Sequence, residues 1–491
     1  MNCLAAAGIL AAAFSKKLIP KKQKGDVNLA NKEKTKLISA YSKIGSTSLQ
    51  SALKSGGPVV WASCLVMGLG NFAAGQYIKG LLFLAIEIAF LYYMVTSGFN
   101  WLTLLPSLGD TPTSEVWDDD LGVYVYVQGD NSQQILLFAV ATLAILAFFV
   151  VVWRASVRSG YMGLCVKRSG KKAPSMKDDI VALFNENIHK LLMATPFTML
   201  AIFTMIPLFY MMLMAFTNYS AVDDHLILFD WVGLKNFASI FDSGSAIGKQ
   251  FGGVLAWTLI WAFFATFLNF FLGTFMAMII QRPSTRFKGM WRTILSLTIA
   301  VPQFVSLMII RNMFKDNGAV NTLLQNLGVL GQGQVYPWMT DATWARILLI
   351  VVNLWVGIPY TVMQVTGILQ NIPAEQYEAA RIDGASVAQQ FRYVTLPYMI
   401  FVLTPYIITQ FTGNINNFNI IYLLTGGGPT YVGDSAGQTD LLVTWLYKLS
   451  IDKQQFNMGA VIGIFTFVVL AVVALVTYRS SGSYKDEEGF K

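Results

Sequence analysis

Two short series of polar residues interrupt long apolar runs in this 491-residue chain. Asn353, Gly357 and Tyr360 recur at i, i+4 and i+7, while Gln410, Gly413, Asn414 and Asn417 recur at i, i+3, i+4 and i+7. On an α-helix each spacing draws one stripe. Amides set in an apolar medium cost free energy unless they meet partners or a water-filled cavity. An amide offers donor and acceptor together, which suits the hydroxyls of a sugar, and Tyr360 adds an aromatic face with a hydroxyl at its edge. The glycines leave room beside these groups. The alternative is plain helix-to-helix bonding, worth about 0.6 kcal/mol per bond on average in membranes. Spacing alone favours neither.

A further pattern is mechanical. Glu378-Ala-Ala-Arg-Ile-Asp-Gly384 is followed after nine residues by Val394-Thr-Leu-Pro397. Pro373 can open a short helix over Ala374–Ile382, Gly384 permits a tight reversal, and Ala385–Val394 can form a second helix. Pro397 then fixes the entry to the next helix, where proline is tolerated in the first turn. Such a helix–turn–helix makes a compact knob; an ordinary amphipathic loop helix is the competing reading.

Catalytic chemistry finds little support. Gly244–Lys249 reads GSAIGK followed by Gln250, one residue short of a phosphate-binding loop and lacking its Ser or Thr, so this chain is not expected to bind ATP. His189 and His225 are the two histidines, and Cys3, Cys64 and Cys165 are odd in number and far apart, which argues against a metal cluster or a disulfide framework. Glu87 is the one acid deep in an apolar run. With no second acid or histidine to relay a proton, it is expected to be protonated or hydrogen-bonded to a neighbouring helix. Arg311, near the end of its run, can snorkel toward the interface.

The medium that must hold these residues follows from composition. The chain is 55% hydrophobic and 13% charged, with a mean hydropathy of +0.53, whereas soluble domains carry about 25% charged residues. The fold class expected is an all-α integral membrane protein. Eight segments meet the requirement of about 20 apolar residues for a spanning helix: Gly80–Ser97, Ile135–Trp153, Leu191–Phe216, Val254–Ile280, Trp291–Phe314, Ile347–Leu369, Tyr398–Leu424 and Met458–Tyr478. Val59–Ala74 is ambiguous, because its sixteen residues reach only about 24 Å against a hydrocarbon core of about 30 Å.

Lys and Arg prefer the cytoplasmic side of short loops. The net charge of +8 is distributed in that manner, between apolar runs, and gives no basic face for nucleic acid. Lysines crowd the segment before Gly80. Gly98–Gln134 holds no Lys or Arg but carries Asp110, Glu115, Asp118, Asp119, Asp120 and Asp130, so it should face outward. Arg154, Arg158, Lys167, Arg168, Lys171 and Lys172 mark the next inner side, and Arg282, Arg286, Lys288 and Arg292 another. Both termini are then cytoplasmic, and Val59–Ala74 becomes an interfacial or re-entrant helix. Leu4–Phe14 has signal-like length, but Lys16 and Lys17 follow it, so an uncleaved tail is expected. The expected organisation is a basic tail (1–57), an accessory membrane region (58–153), a cytoplasmic linker (154–190), a six-span core (191–478) with the knob at 371–397, and a second tail (479–491).

The run EAARIDGASVAQQFRYVTLP at Glu378–Pro397 resembles the EAA loop of bacterial ABC importer permeases, with Val394 in place of the usual Ile. FTNYSAVDDHLILFDWVGLKNFASIF at Phe216–Phe241 and NGAVNTLLQNLGV at Asn317–Val329 look like outer loops of sugar permeases. NINNFNIIYLLTGGGPT at Asn414–Thr430 is similar to the MalF-type subunits of maltose and maltodextrin importers. GLGNFAAGQYIKGLLFLAIE at Gly68–Glu87 looks like the leader region of Gram-positive members. The Phe216–Phe251 loop is too short for the large outer domain of some Gram-negative relatives, so no contact carried by that domain transfers.

The resemblance implies a permease with a six-helix core in the cell membrane. Its partners would be a second homologous permease, two cytoplasmic ATPase subunits that bind ATP and Mg, and an extracellular sugar-binding protein. No cofactor is implied in this chain. Glu378, Ala379, Ala380, Gly384, Leu396 and Pro397 inherit the coupling role of the EAA knob. The family's sugar contacts fall on the two striped helices, which weighs toward a cavity lined by Asn353, Gly357, Tyr360, Gln410, Gly413, Asn414 and Asn417, although Gln410 and Gly413 depart from the residues expected there. A maltodextrin-like oligosaccharide is the substrate implied. A non-glucan oligosaccharide permease, a secondary sugar transporter and a structural membrane protein are the alternatives.

Overall fold

The computed structural model describes residues 49–119, 122–170, 172–222, 224–282 and 284–480. The expectations for the tail before Leu49, including Leu4–Phe14, and for 481–491 lie outside the described residues. Among the described residues, seven helices are long and apolar enough to cross a membrane: Tyr77–Leu104, Ser132–Arg168, Ile188–Met214, Ala246–Gln281, Ala342–Gln370, Val387–Leu424 and Phe456–Arg479. An eighth crossing exists only if one bent pair counts as a single span.

That pair replaces the expected single helix over Trp291–Phe314. The structure has Lys288–Ala300 and Gln303–Met313, inclined at 86° to each other. Val301-Pro302 is the cause. Proline lacks the N–H for the ladder and clashes with the preceding turn, and it drives the residue before it out of the helical region. Val301 is extended accordingly, at φ −76° and ψ 128°.

The chain divides into two compact units, one formed by Met1–Pro106 with Leu136–Pro207, the other by Ser107–Ile135 with Leu208–Lys491. In the first unit, Val59–Ala74 is two short helices, Pro58–Leu65 and Leu69–Ala73. Gly68 at φ +87° makes the break, where a Cβ would collide with the carbonyl of Gly80. Polar side chains tie this turn down. Glu87 is buried and accepts the Met67 N–H at 2.7 Å, Ser156 Oγ accepts the Gly68 N–H at 3.1 Å, and Asn71 donates to Gln76 and Ser159, both at 2.8 Å. Glu87 is thus hydrogen-bonded, as its sequence reading expects, but to the turn between two short helices and not to a neighbouring helix. The expected boundary at 153 falls inside one continuous helix, Ser132–Arg168. Met176–Asn185 follows, opened by a reciprocal capping box between Ser175 and Asp178.

In the second unit, Ala246–Gln281 packs against Ala342–Gln370 and Leu396–Ile415. Trp257, Trp261, Leu348, Leu349, Ile420 and Leu424 form one buried cluster, and Ala277, Val362, Val365, Met399 and Leu403 another. The GSAIGK stretch is an ordinary helix start, in which Ser245 Oγ accepts the Gly248 N–H at 2.8 Å. Asp341 opens Ala342–Gln370 in the same way, accepting from Thr343 N at 2.9 Å and Trp344 N at 3.0 Å. Asp440, buried in the loop after Leu424, meets Lys448 Nζ at 2.6 Å, the Gly437 N–H at 2.7 Å and the Thr444 hydroxyl at 2.9 Å. Burial pushes its carboxyl up, and these three partners pull it back.

The structure also adds an element absent from an all-α expectation. A two-stranded antiparallel hairpin, β1 (Ser114–Asp118) and β2 (Val123–Val127), lies within the acidic Gly98–Gln134 stretch.

Candidate functional site

A cavity of about 400 Å³ opens between Ala246–Gln281, the bent pair, Ala342–Gln370 and Leu396–Ile415. Six of the seven proposed cavity residues line it: Asn353, Gly357, Tyr360, Gln410, Asn414 and Asn417. The Ala342–Gln370 helix passes unbroken through the first three despite its internal Pro359. Gly413 does not line the cavity, and a Cβ on it would meet nothing within 4 Å. Gly413 stands about 100° around the helix from Asn414, on the side away from the wall that Asn414 shares with Gln410.

Asn417 reaches the cavity by a different route from the one its spacing implied. The helix ends at Ile415, and Asn417 is the N-cap of a new helix, Phe418–Leu424, with its Oδ1 accepting the Ile420 N–H at 3.3 Å. Asparagine competes for its own backbone and so marks helix starts better than helix interiors. Its Nδ2 donates to Asn414 Oδ1 at 3.3 Å. Asn414 in turn donates to the Thr266 hydroxyl at 3.0 Å, and its backbone carbonyl accepts the Trp261 indole N–H at 3.1 Å. The two asparagines are therefore oriented by the facing helix.

That facing helix supplies what the stripes missed. Asn269 is buried, donates Nδ2 to the Ala265 carbonyl at 2.7 Å, and leaves Oδ1 buried without a partner. Asn353 reaches the same carbonyl from the opposite helix at 3.4 Å. Gly357 makes room for Asn269, because a Cβ there would stand 2.4 Å from Asn269 Nδ2. Thr266, Asn269 and Gly273 recur at i, i+3 and i+7, the same signal that marked the other walls. Gln303 and Ser306 join the lining just beyond the Pro302 bend. Among the described residues, no lining side chain is charged. The cavity presents amides, hydroxyls and the Tyr360 and Tyr406 rings, a set suited to a neutral hydroxylated solute.

The knob at 371–397 is built from two closures. Ala374–Ile382 ends in a Schellman motif: the Ala385 N–H bonds the Ala380 carbonyl at 2.9 Å, the Gly384 N–H bonds the Arg381 carbonyl at 3.0 Å, and Gly384 sits at φ +76°. Ser386 then caps Val387–Gln390 reciprocally with Gln389. The Tyr377 hydroxyl meets Thr395 Oγ1 at 2.9 Å and clasps the two arms together. The second arm departs from expectation: it does not end at Val394, and Pro397 opens no new helix. Val387–Gln390, a π-helical turn at Phe391–Thr395 and Leu396–Ile415 form one run. The wider turn just before Pro397, closed by Leu396 N–H to the Phe391 carbonyl, accommodates the proline ring and its missing donor. Glu378, Ala379, Gly384 and Pro397 are exposed, while Ala380 and Leu396 are half-buried. Ile382 is 86% exposed at the tip.

Residues 269–481 match the model of the family described as binding-protein-dependent transport system inner membrane component. The chain is 36% identical over 430 residues to the galactooligosaccharides transport system permease protein GanP of Bacillus subtilis (strain 168), covering 86% of this chain and 97% of that protein. It is 34% identical over 436 residues to the maltodextrin transport system permease protein MalC of Streptococcus pneumoniae serotype 4, covering 86% and 96%. Among solved structures, a chain of a bacterial ABC transporter involved in the import of the acidic polysaccharide alginate superimposes with a TM-score of 0.50 at 22% identity, over 61% of this chain and 96% of that one. That likeness concerns the fold. By its identity to sugar permeases along nearly their whole length, the chain belongs to the family of permease subunits of binding-protein-dependent ABC sugar importers.

Proposed function

We propose that this permease carries a neutral oligosaccharide of the maltodextrin type through the amide-lined cavity. The uncharged lining is the observation that carries the reading. Asn353, Tyr360, Gln410, Asn414 and Asn417, joined by Asn269, exchange hydrogen bonds with sugar hydroxyls, while the tyrosine rings take the apolar faces. The lone Oδ1 of Asn269 supports this, since a buried acceptor without a partner costs about 1–3 kcal/mol until a donor arrives. A polyanion would leave its charges uncompensated there.

In this reading a second permease completes the pathway, an extracellular protein delivers the sugar, and two ATPase subunits hold ATP and Mg. The Glu378–Pro397 knob docks on an ATPase, with Glu378, Ala379, Ala380 and Gly384 at the contact and Leu396 and Pro397 passing its movement to the Leu396–Ile415 helix. Both termini are cytoplasmic, by the distribution of Lys and Arg.

A second reading, galactooligosaccharide as substrate, is favoured by the 36% identity to GanP. Uptake of labelled maltotriose and of a labelled galactotriose by cells lacking this chain, with and without its restoration, separates the two. Restored maltotriose uptake is expected. Restoration of the galactoside alone replaces the glucan reading, and restoration of neither removes the neutral-oligosaccharide reading.

A further inference from the structure

Among the described residues, nothing covers either face of the β1–β2 hairpin. Its register pairs Trp117 with Tyr124 and Glu115 with Tyr126, which places these four side chains on one face. Trp117 is 49% exposed, Tyr124 66% and Tyr126 73%, and the rings of the first two meet edge to face at 5.1 Å. The Glu115 side chain hydrogen-bonds the Tyr126 hydroxyl. Val116, Val123 and Val127 are exposed on the other face. A free two-stranded hairpin is at best marginally stable in water, so this one is built to be covered.

Its base, by contrast, is firmly held. Asp130 Oδ2 accepts from the Thr111 hydroxyl at 2.5 Å, the Thr111 N–H at 3.1 Å and the Asp110 N–H at 3.2 Å. The Ser132 N–H bonds the Ile227 carbonyl at 2.9 Å, and Ser132 Oγ accepts the Phe229 N–H at 3.0 Å. The hairpin is thus presented on the same unit as the cavity. Its surroundings are of one sign: Asp110, Glu115, Asp118 and Asp119 flank the aromatic face, and no Lys or Arg occurs anywhere in 98–134.

We infer that this hairpin is a docking tongue for the extracellular sugar-binding protein, whose matching surface is an apolar pocket with a Lys- and Arg-rich rim. The inference rests on the importer reading above. Charge complementarity selects a basic protein surface over a neutral glucan, since the acidic rim offers a neutral chain no net attraction. An exposed Trp–Tyr pair ringed by polar groups is the usual composition of an interface hot spot.

The test uses the whole importer in nanodiscs, with ATP hydrolysis measured against the concentration of sugar-loaded binding protein. Trp117→Ala with Tyr124→Ala should raise the half-saturating concentration about 10-fold or more while basal hydrolysis and the plateau are kept. Asp119→Lys, at an exposed position that leaves the rings in place, should raise it several-fold in low salt. That increase should fade near 0.5 M salt, as screened charges require. Unchanged half-saturation in both variants overturns the docking role. Unchanged half-saturation with reduced uptake of long oligosaccharides also overturns it, in favour of direct sugar contact. If the parental importer shows no stimulation by any binding protein, the importer reading falls first, and this inference with it.

Discussion

The cavity and the 371–397 knob invert the usual distribution of side chains in opposite senses. In the cavity, Asn269, Asn353 and Asn414 are buried within a membrane-spanning bundle, where polar groups are costly. At the knob, Ile382 and Val387 stand in the open, where apolar groups have nothing to gain. In the proposed reading each departure marks what arrives: a hydroxylated solute at the first, a protein surface at the second. The energetic supports differ as well. Asn353 and Asn414 are held by bonds across helices, to Ala265, Thr266 and Trp261, and Asn269 by a bond to Ala265 on its own helix. The knob is held by bonds within itself, through Gly384, Ser386 and the Tyr377–Thr395 clasp. Damage to the knob should therefore abolish coupling as a whole, whereas damage to the cavity should be graded.

The largest effect is expected at Gly384. A leucine at φ +76° costs about 1–2 kcal/mol in the left-handed region and disfavours the Schellman closure that aims the second arm. Gly384→Leu should reduce uptake to background and abolish hydrolysis stimulated by the binding protein, and Glu378→Lys, on the exposed surface, should do the same without disturbing the fold. Stimulated hydrolysis at the parental level in both variants would remove the knob from the mechanism.

Next come Asn414→Ala and Tyr360→Ala. The first deletes the bonds to Thr266 and Asn417 together with any to solute, and two to three bonds at about 1 kcal/mol each correspond to roughly 30- to 100-fold in oligosaccharide uptake. ATPase docking, followed by co-purification of the assembled complex, should survive. Parental uptake of every α-glucan tested, in both variants, would make these residues structural ties.

Legibility of the molecule followed the range of the signal. Asn353, Gly357 and Tyr360 were readable because their helix is unbroken, so spacing converts directly into a shared wall. Asn417 was found for the wrong local reason, since the chain leaves the helix at Asn416 and Asn417 caps the next one. Val301-Pro302 carried the bend in plain view, but an apolar run of spanning length masks a pre-proline break. Asn269 was missed although Thr266, Asn269 and Gly273 repeat the stripe spacing, because one amide in a long apolar helix attracts less notice than three. The pairing of the β1–β2 hairpin is set between strands, which no helical period reports.

A smaller effect is expected from Asn269→Ala. It removes one unpaired acceptor, so uptake should fall only a few-fold, in line with about 0.5–1.5 kcal/mol for a single bond. Gly357→Ala should act through the same side chain, because its Cβ would displace Asn269. The two losses should then not add in the double variant. Additive losses would mean that Gly357 serves the solute directly.

The smallest effect, and the sharpest check on the cavity's outline, is at Gly413. Gly357 and Gly413 look equivalent as glycines within the two polar series, yet only the first borders the cavity. A Cβ on Gly357 collides with Asn269, whereas a Cβ on Gly413 meets open space. Gly413→Ala adds no clash and removes none of the bonds of Asn414, and alanine is favoured over glycine in a helix interior by about 1 kcal/mol. Uptake should stay within about two-fold of the parental rate and thermal stability should hold or rise slightly, as measured on the purified complex. A severe loss of transport with the complex still assembled would put Gly413 against an element of the second permease, and the pathway wall would then extend around the Leu396–Ile415 helix beyond the face formed by Gln410 and Asn414.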